Sequence, residues 1–291
     1  MKMPAILFLW IICQGVAQSA PTMYHIDNTH SSIQFTIPFF GVADVAGRFD
    51  RFCGQFNYDE SNVTASFVEL YIDAASINTS LNIRDRDLRK SYLETDKFPV
   101  ISFRSTSIMK SSPRQLQVTG ILSIHGITRE IDLALVILRE ITSDGAREMG
   151  VKLLPVLLNR KDFKIMDGSM GAGTVGDTLT ANAFMRLRDR TGFRLMFDHQ
   201  YPEKPKSGGL PFAGIYKGNQ GMTIKLITDG NKFFVSFNDD SWQWMDQAKP
   251  VGPNRFKLVS FDHIVELKPG AVIYQRDRDK PGEKLTIDGD K

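Results

Sequence analysis

The sequence predicts an all-β chain: a meander of eight or so strands that closes or sandwiches, followed by a second, smaller β-rich unit. Three observations predict it. Apolar residues recur with a period of two, turn-forming clusters separate the alternating segments, and a stretch near residue 200 interrupts the pattern before it resumes. Successive side chains of a strand point to opposite faces, so each alternating segment carries one apolar face.

The elements follow in order. Ile33, Phe35 and Ile37 alternate with Ser32, Gln34 and Thr36. Leu116, Val118, Gly120, Leu122 and Ile124 share one face, opposite Gln117, Thr119, Ile121 and Ser123. Ile127, Arg129, Ile131, Leu133, Leu135 and Ile137 continue the pattern until the run turns apolar on both faces, and Leu179, Ala181, Ala183, Met185 and Leu187 repeat it. Ser111-Ser112-Pro113 and Ser143-Asp144-Gly145 mark turns, and His125-Gly126 reads as a tight hairpin turn between two alternating strands. Leu81–Leu93 breaks the period. It is polar and free of Gly and Pro, with Asn82 placed to cap a short helix and Asp85 placed to favour its positive end. Ile83, Leu88 and Tyr92 would lie roughly along one side of that helix, which the pattern sets across a barrel mouth or edge.

The ends of the chain differ from its middle. Lys2, the apolar run Ala5–Cys13 and the small residues Gly15, Ala17, Ser19 and Ala20 have the anatomy of a secretory signal peptide over residues 1–20. This run is too short for a comfortable membrane span, and no later run is long enough, so the mature chain is expected in the periplasm or secreted, without a transmembrane segment. Residues 21–200 form the expected main domain. Tyr201–Gly209 (YPEKPKSGG) is a linker by composition, and 210–291 read as a small β-rich domain with strands at Phe233–Phe237 and around Trp242 and Trp244.

Composition excludes several function classes. A formal net charge of +3 without clustered Lys and Arg gives no case for nucleic acid. Hydrophobic residues at 42% are ample for a buried core. Once Cys13 leaves with the signal segment, Cys53 is the sole cysteine and reads as a buried structural thiol within a strand. No His/Cys cluster has metal spacing, so no metal and no cofactor other than a bound lipid is expected.

Seven short motifs then stand in a familiar order: Asp27–Ser31, Val45–Phe49, Ala75–Thr79, Arg84–Leu88, Lys97–Ser105, Val118–Thr128 and Arg160–Phe163. Over residues 24–188 this resembles the YceI-like family of periplasmic, lipocalin-like proteins. The resemblance implies an eight-stranded antiparallel barrel with a helical excursion and a long internal pocket for a polyprenyl chain, such as a quinone or its precursor, or a related lipid. On that reading the ligand lies among Ile33, Phe35, Ile37, Phe49, Phe103, Leu122, Ile124, Leu133 and Phe163, with Arg84 a candidate contact for the headgroup. The chain departs from the family where Pro38-Phe39-Phe40-Gly41 and Asp87 stand at positions usually holding a histidine. A barrel of about eight strands is wide enough for its own side chains or for one slender ligand.

Catalytic candidates are few. His30 beside Asp27 reads as a turn-fixing hydrogen bond, and His125 as a turn residue. An enzymatic alternative would use either as acid or base on a bound lipid. Asp85 and Asp87, two apart, do not share a helix face. The Gly-rich Met166–Thr174 lacks the lysine of a phosphate loop. A third reading gives the C-terminal domain a protein or envelope partner, anchored by Trp242 and Trp244.

Overall fold

The structure, a computed structural model, describes residues 20–143, 145–168, 173–189, 214–217, 223–229, 232–238, 243–259, 263–268, 271–275 and 283–287. The expected signal segment up to residue 19, the 201–209 linker and Trp242 lie outside them. Among the described residues no helix is long and apolar enough to cross a membrane.

The first sheet comprises β1 (Thr22–Ile26), β2 (Ser32–Phe39), β3 (Ala43–Phe49), β4 (Phe52–Tyr58), β5 (Phe67–Asp73), β6 (Ile77–Asn78), β7 (Val100–Ser112), β8 (Gln115–Ile124), β9 (Ile127–Ser143), β10 (Ala146–Asn159) and β11 (Thr178–Asp189). Eight of these close in the order β1-β4-β5-β7-β8-β9-β10-β11 and back to β1, all antiparallel. Closure removes every free edge along that path. The alternation read from the sequence sets the faces: in β8, Leu116, Val118 and Leu122 are buried and Ile121 is exposed.

The first strand is broken. β1 pairs with Leu187–Asp189 of β11, whereas β2 pairs with Thr180–Phe184 further along the same strand. A 3-10 turn, Asn28–His30, separates the two, and the Asp27 side chain caps it by accepting from the Thr29 N–H at 3.1 Å. β2 then leads to β3 and β6, which extend the sheet beyond the eight closed strands. The β2–β3 turn, the segment after β6 and the loops at residues 125 and 160 therefore gather at one end of the barrel. The β7–β8 and β9–β10 turns lie at the other.

After β6 the chain forms α1 (Asn82–Asp87), which widens into a π-turn over Leu88–Tyr92. Asn82 does not cap it. The cap position is Leu81, which makes no side-chain bond, and the capping chemistry sits elsewhere: the buried Asp85 carboxylate turns back to accept from the Thr79 N–H at 2.9 Å and from its hydroxyl.

A second antiparallel barrel follows: β12 (Gly214–Lys217), β13 (Thr223–Asp229), β14 (Lys232–Asn238), β15 (Gln243–Gly252), β16 (Arg255–Leu258), β17 (Ile264–Lys268), β18 (Ala271–Gln275) and β19 (Glu283–Ile287), closed by pairing of β12 with β19. Its interior holds a buried aromatic and aliphatic cluster. Trp244 stacks on Phe237 at 3.9 Å, Tyr274 packs against Phe237, and Phe233 lies against Phe256. Trp244 is thus buried core, not the exposed anchor expected of a docking hairpin, because on β15 it is Met245 that points outward from this interior.

The two barrels share a small core. Cys53, Tyr71 and Val100 of the first meet Ile227, Phe234 and Met245 of the second, with the Tyr71 and Phe234 rings 5.0 Å apart. Ser236 Oγ donates to Asp73 at 2.9 Å, Asn28 donates to the Met245 carbonyl at 3.1 Å, and Lys232 reaches the Tyr71 hydroxyl. Burial pushes the Cys53 thiol well above its usual range, which disfavours the reactive thiolate.

Candidate functional site

Inward-facing side chains of the first barrel do not fill it. They enclose a cavity of about 640 Å³ whose wall is overwhelmingly aliphatic and aromatic. β11 contributes Leu179, Ala181, Ala183, Met185 and Leu187, the single-face series seen in the sequence. β9 and β10 add Ile131, Leu133, Leu135, Val151 and Leu153. The two alanines matter, because small residues opposite long ones leave the interior open. Gly47 does the same on β3, where the Phe35 ring lies over it.

Of the residues expected to meet a ligand, Ile33, Phe35, Ile37, Phe49, Phe103, Leu122, Ile124 and Leu133 all stand on this wall, as does Arg84. Phe163 does not. It is buried in the surrounding core, on the 3-10 turn Arg160–Phe163, where the backbone has left the sheet and strand alternation no longer sets its direction. The helical segment closes part of the opening with Leu81, Ile83, Leu88 and Tyr92. Ile83, Leu88 and Tyr92 are the helix side that the sequence sets across the mouth, and Leu81 joins them from the residue before the helix.

Polar groups are confined to a few places. Arg84 donates from Nε to Thr79 Oγ1 and from Nη2 to the Thr79 carbonyl, each at 2.7 Å. Those partners are uncharged. Arg84 and Asp85 thus both tie the helix to Thr79. Arg160, nearly inaccessible, holds the loop after β10: it donates to the carbonyls of Gly176 at 3.0 Å and Ile165 at 2.9 Å, to that of Met166, and to Asp177 at 2.7 Å. Lys161 also binds Asp177 and holds its carboxyl below the usual carboxylate range. This buried guanidinium is a structural post that the sequence flagged only as part of a motif.

Neither histidine considered for catalysis borders the cavity. His30 bonds Asp27 at 3.0 Å on the outer surface, with Arg186 alongside. Burial raises the Asp27 carboxyl, but hydrogen bonds from Thr29 and His30 outweigh it and leave the group below its ordinary value. His125 and Gly126 form the two-residue β8–β9 turn with φ of 52° and 71°, the mirror-image geometry that suits a hairpin. Its ring nitrogens face the Phe163 carbonyl at 3.1 Å and Glu94 at 2.9 Å, and its ring meets Phe98 edge-on. Among the described residues no group of His, Cys, Asp and Glu could hold a metal ion.

Fold and cavity together define a binding-protein architecture: a closed antiparallel barrel around a largely apolar interior. Residues 24–185, more than half of the chain, match the YceI-like domain, and the chain belongs to the YceI-like family. It is 33% identical to a UPF0312 protein of Vibrio vulnificus over 129 residues, 44% of this chain and 68% of that protein. A UPF0312 protein of Shewanella denitrificans is 37% identical over 113 residues, 38% of this chain and 59% of its own length. Among solved structures, BcnA of Burkholderia cenocepacia matches with a TM-score of 0.49 at 18% identity, covering 55% of this chain and 98% of BcnA. A polyisoprenoid binding domain from Saccharophagus degradans matches with a TM-score of 0.46 at 21% identity, covering 57% and 97%.

Proposed function

We propose that the first barrel binds one long apolar chain, of the polyisoprenoid class (a polyprenyl quinone or its precursor) or an acyl chain, and acts as its carrier or buffer outside the cytoplasm. The observation that carries this reading is the cavity of about 640 Å³ with an almost wholly apolar wall. An apolar molecule entering it gains about 0.8 kcal/mol for each methylene removed from water, less the cost of ordering the chain. Such a wall offers water nothing to bind. Arg84 would meet a headgroup oxygen, a reading supported by its position on the cavity lining and by its own partners, a hydroxyl and a carbonyl. The apolar run Ala5–Cys13 with the small residues after it supports export to the periplasm or medium.

Titration with polyprenols and fatty acids of graded length, read by displacement of an environment-sensitive fluorophore, tests the reading. One saturable site whose affinity rises with chain length is the expected result. An absence of displacement by every chain would sink it.

A further inference from the structure

The rim of the first barrel is apolar and exposed. The β2–β3 hairpin ends in Phe39-Phe40-Gly41-Val42, with Phe40 57% and Val42 87% exposed. Phe40 holds a left-handed backbone, φ 53°, which is costly for a bulky residue. The Phe39 ring meets it edge-on at 4.6 Å, so the tip presents the two rings as one unit. On the helical side of the opening, Leu81 and Ile83 are 48% and 58% exposed. Phe39, Leu81 and Ile83 also line the cavity, so the patch is the outward continuation of its wall.

The charge beside this patch is in cationic excess, with Arg86 paired to Asp87 at 3.5 Å. Asn82–Tyr92 carries Arg84, Arg86, Arg89 and Lys90 against Asp85 and Asp87. Asp85 is buried on Thr79, and Arg89 donates to the uncharged carbonyls of Ala75 and Ile77. Exposed apolar side chains beside an excess of cations match the surface of an anionic bilayer.

We propose that this rim docks on a phospholipid bilayer bearing anionic headgroups. Phe40, Val42, Leu81 and Ile83 enter the acyl boundary, and the cations of Asn82–Tyr92 lie among the headgroups. The inference rests on the cavity as a site for an apolar chain: a mouth seated on the bilayer lets that chain pass between membrane and barrel without crossing water. Charge selects the bilayer over a second copy of this chain, because two such rims face to face would bring like cations together.

Flotation of the full chain with vesicles of phosphatidylcholine, alone or mixed with phosphatidylglycerol, tests the docking. The chain should float with the anionic vesicles and release at high salt. A Phe40→Ser/Val42→Ser double variant should bind them about tenfold more weakly, because apolar surface is lost from the acyl boundary. Neither of those residues borders the cavity, so the variant keeps its uptake of detergent-dispersed lipid, and absence of that uptake in both proteins would count against the cavity reading alone. Met109→Ser, altering an exposed apolar residue at the opposite end, should leave flotation unchanged. Three results would each overturn the proposal: equal flotation of wild type and double variant, an equal loss in Met109→Ser, or a wild type that ignores vesicles and dimerises through the rim.

Discussion

Substituting Gly47 with alanine pushes the cavity wall inward at a known point. Gly47 stands opposite Phe35 on the neighbouring strand, and a Cβ there would lie 2.3 Å from Phe35 Cζ and 2.7 Å from Cε1. Non-bonded carbons settle at about 3.5–4.0 Å, so the ring must retreat by roughly 1–1.5 Å. Phe35 lines the cavity with the Phe49 ring 5.9 Å away on the same wall, so its retreat takes space from the ligand. The tip of one ring can swing, which places the folding cost near the low end of overpacking, about 1 kcal/mol. Excluding about two methylenes of bound chain costs about 1.5 kcal/mol of binding, close to tenfold in Kd. Denaturant unfolding measures the first and competitive displacement by a polyprenol measures the second. Gly145→Ala is the control: its φ of 77° strains an alanine, but nothing lies within 4 Å and it is remote from the cavity. It should lower stability by about 1 kcal/mol and leave Kd alone. A Gly47→Ala protein that loses stability yet binds polyprenol as tightly as the parent would refute the reasoning.

Other perturbations test neighbouring parts of the account. Asp85→Ala strands the buried Thr79 N–H and hydroxyl, so about 2–4 kcal/mol of stability should be lost and hydrogen exchange over residues 79–92 should quicken; unchanged exchange would show that this carboxylate does not hold the helix. Met245→Asp puts a charge into the core shared by the barrels, and the radius of gyration from small-angle scattering should rise while each barrel keeps its own thermal transition; an unchanged radius would mean the contact tolerates it. Burial pushes the Tyr24 and Tyr71 hydroxyls from 10.0 up to about 12. Raised values of this kind stabilise the fold fully below pH 10 and lose that contribution as pH climbs through about 12. The tyrosinate absorbance lost in Tyr24→Phe and Tyr71→Phe variants should therefore be the part that appears above pH 10, and stability should fall across the same window; either hydroxyl titrating at 10 in the folded chain would contradict it.

Much of the barrel was legible because its rule is local. A period of two fixes which side chains of a strand share a face, and eight of the nine residues expected to meet the ligand, on β2, β3, β7, β8 and β9, stand on the cavity wall. Phe163 escaped the rule because the chain turns at Asn159, whose side chain accepts from the Lys161 N–H. The break between β1 and β2 is readable in residue type but not in consequence: Asp27 and His30 mark a turn, while the shift of pairing partner along β11 depends on a strand far along the chain. The helix was placed correctly, but its capping group was not, because Asp85 bonds backward to Thr79 in place of forward from a cap. The contact between barrels had no local signal at all. Cys53 and Tyr71 read as ordinary strand residues, and the partners Phe234 and Met245 lie well over a hundred residues away.

The central claim is tested most directly by native mass spectrometry of the full chain, produced in an exporting host and purified without detergent. The account predicts a protein carrying one non-covalent adduct, which organic extraction identifies as a single long isoprenoid or acyl chain, and which the Gly47→Ala protein holds less well. A bare protein mass that stays bare after incubation with polyprenols, quinones and fatty acids would contradict it.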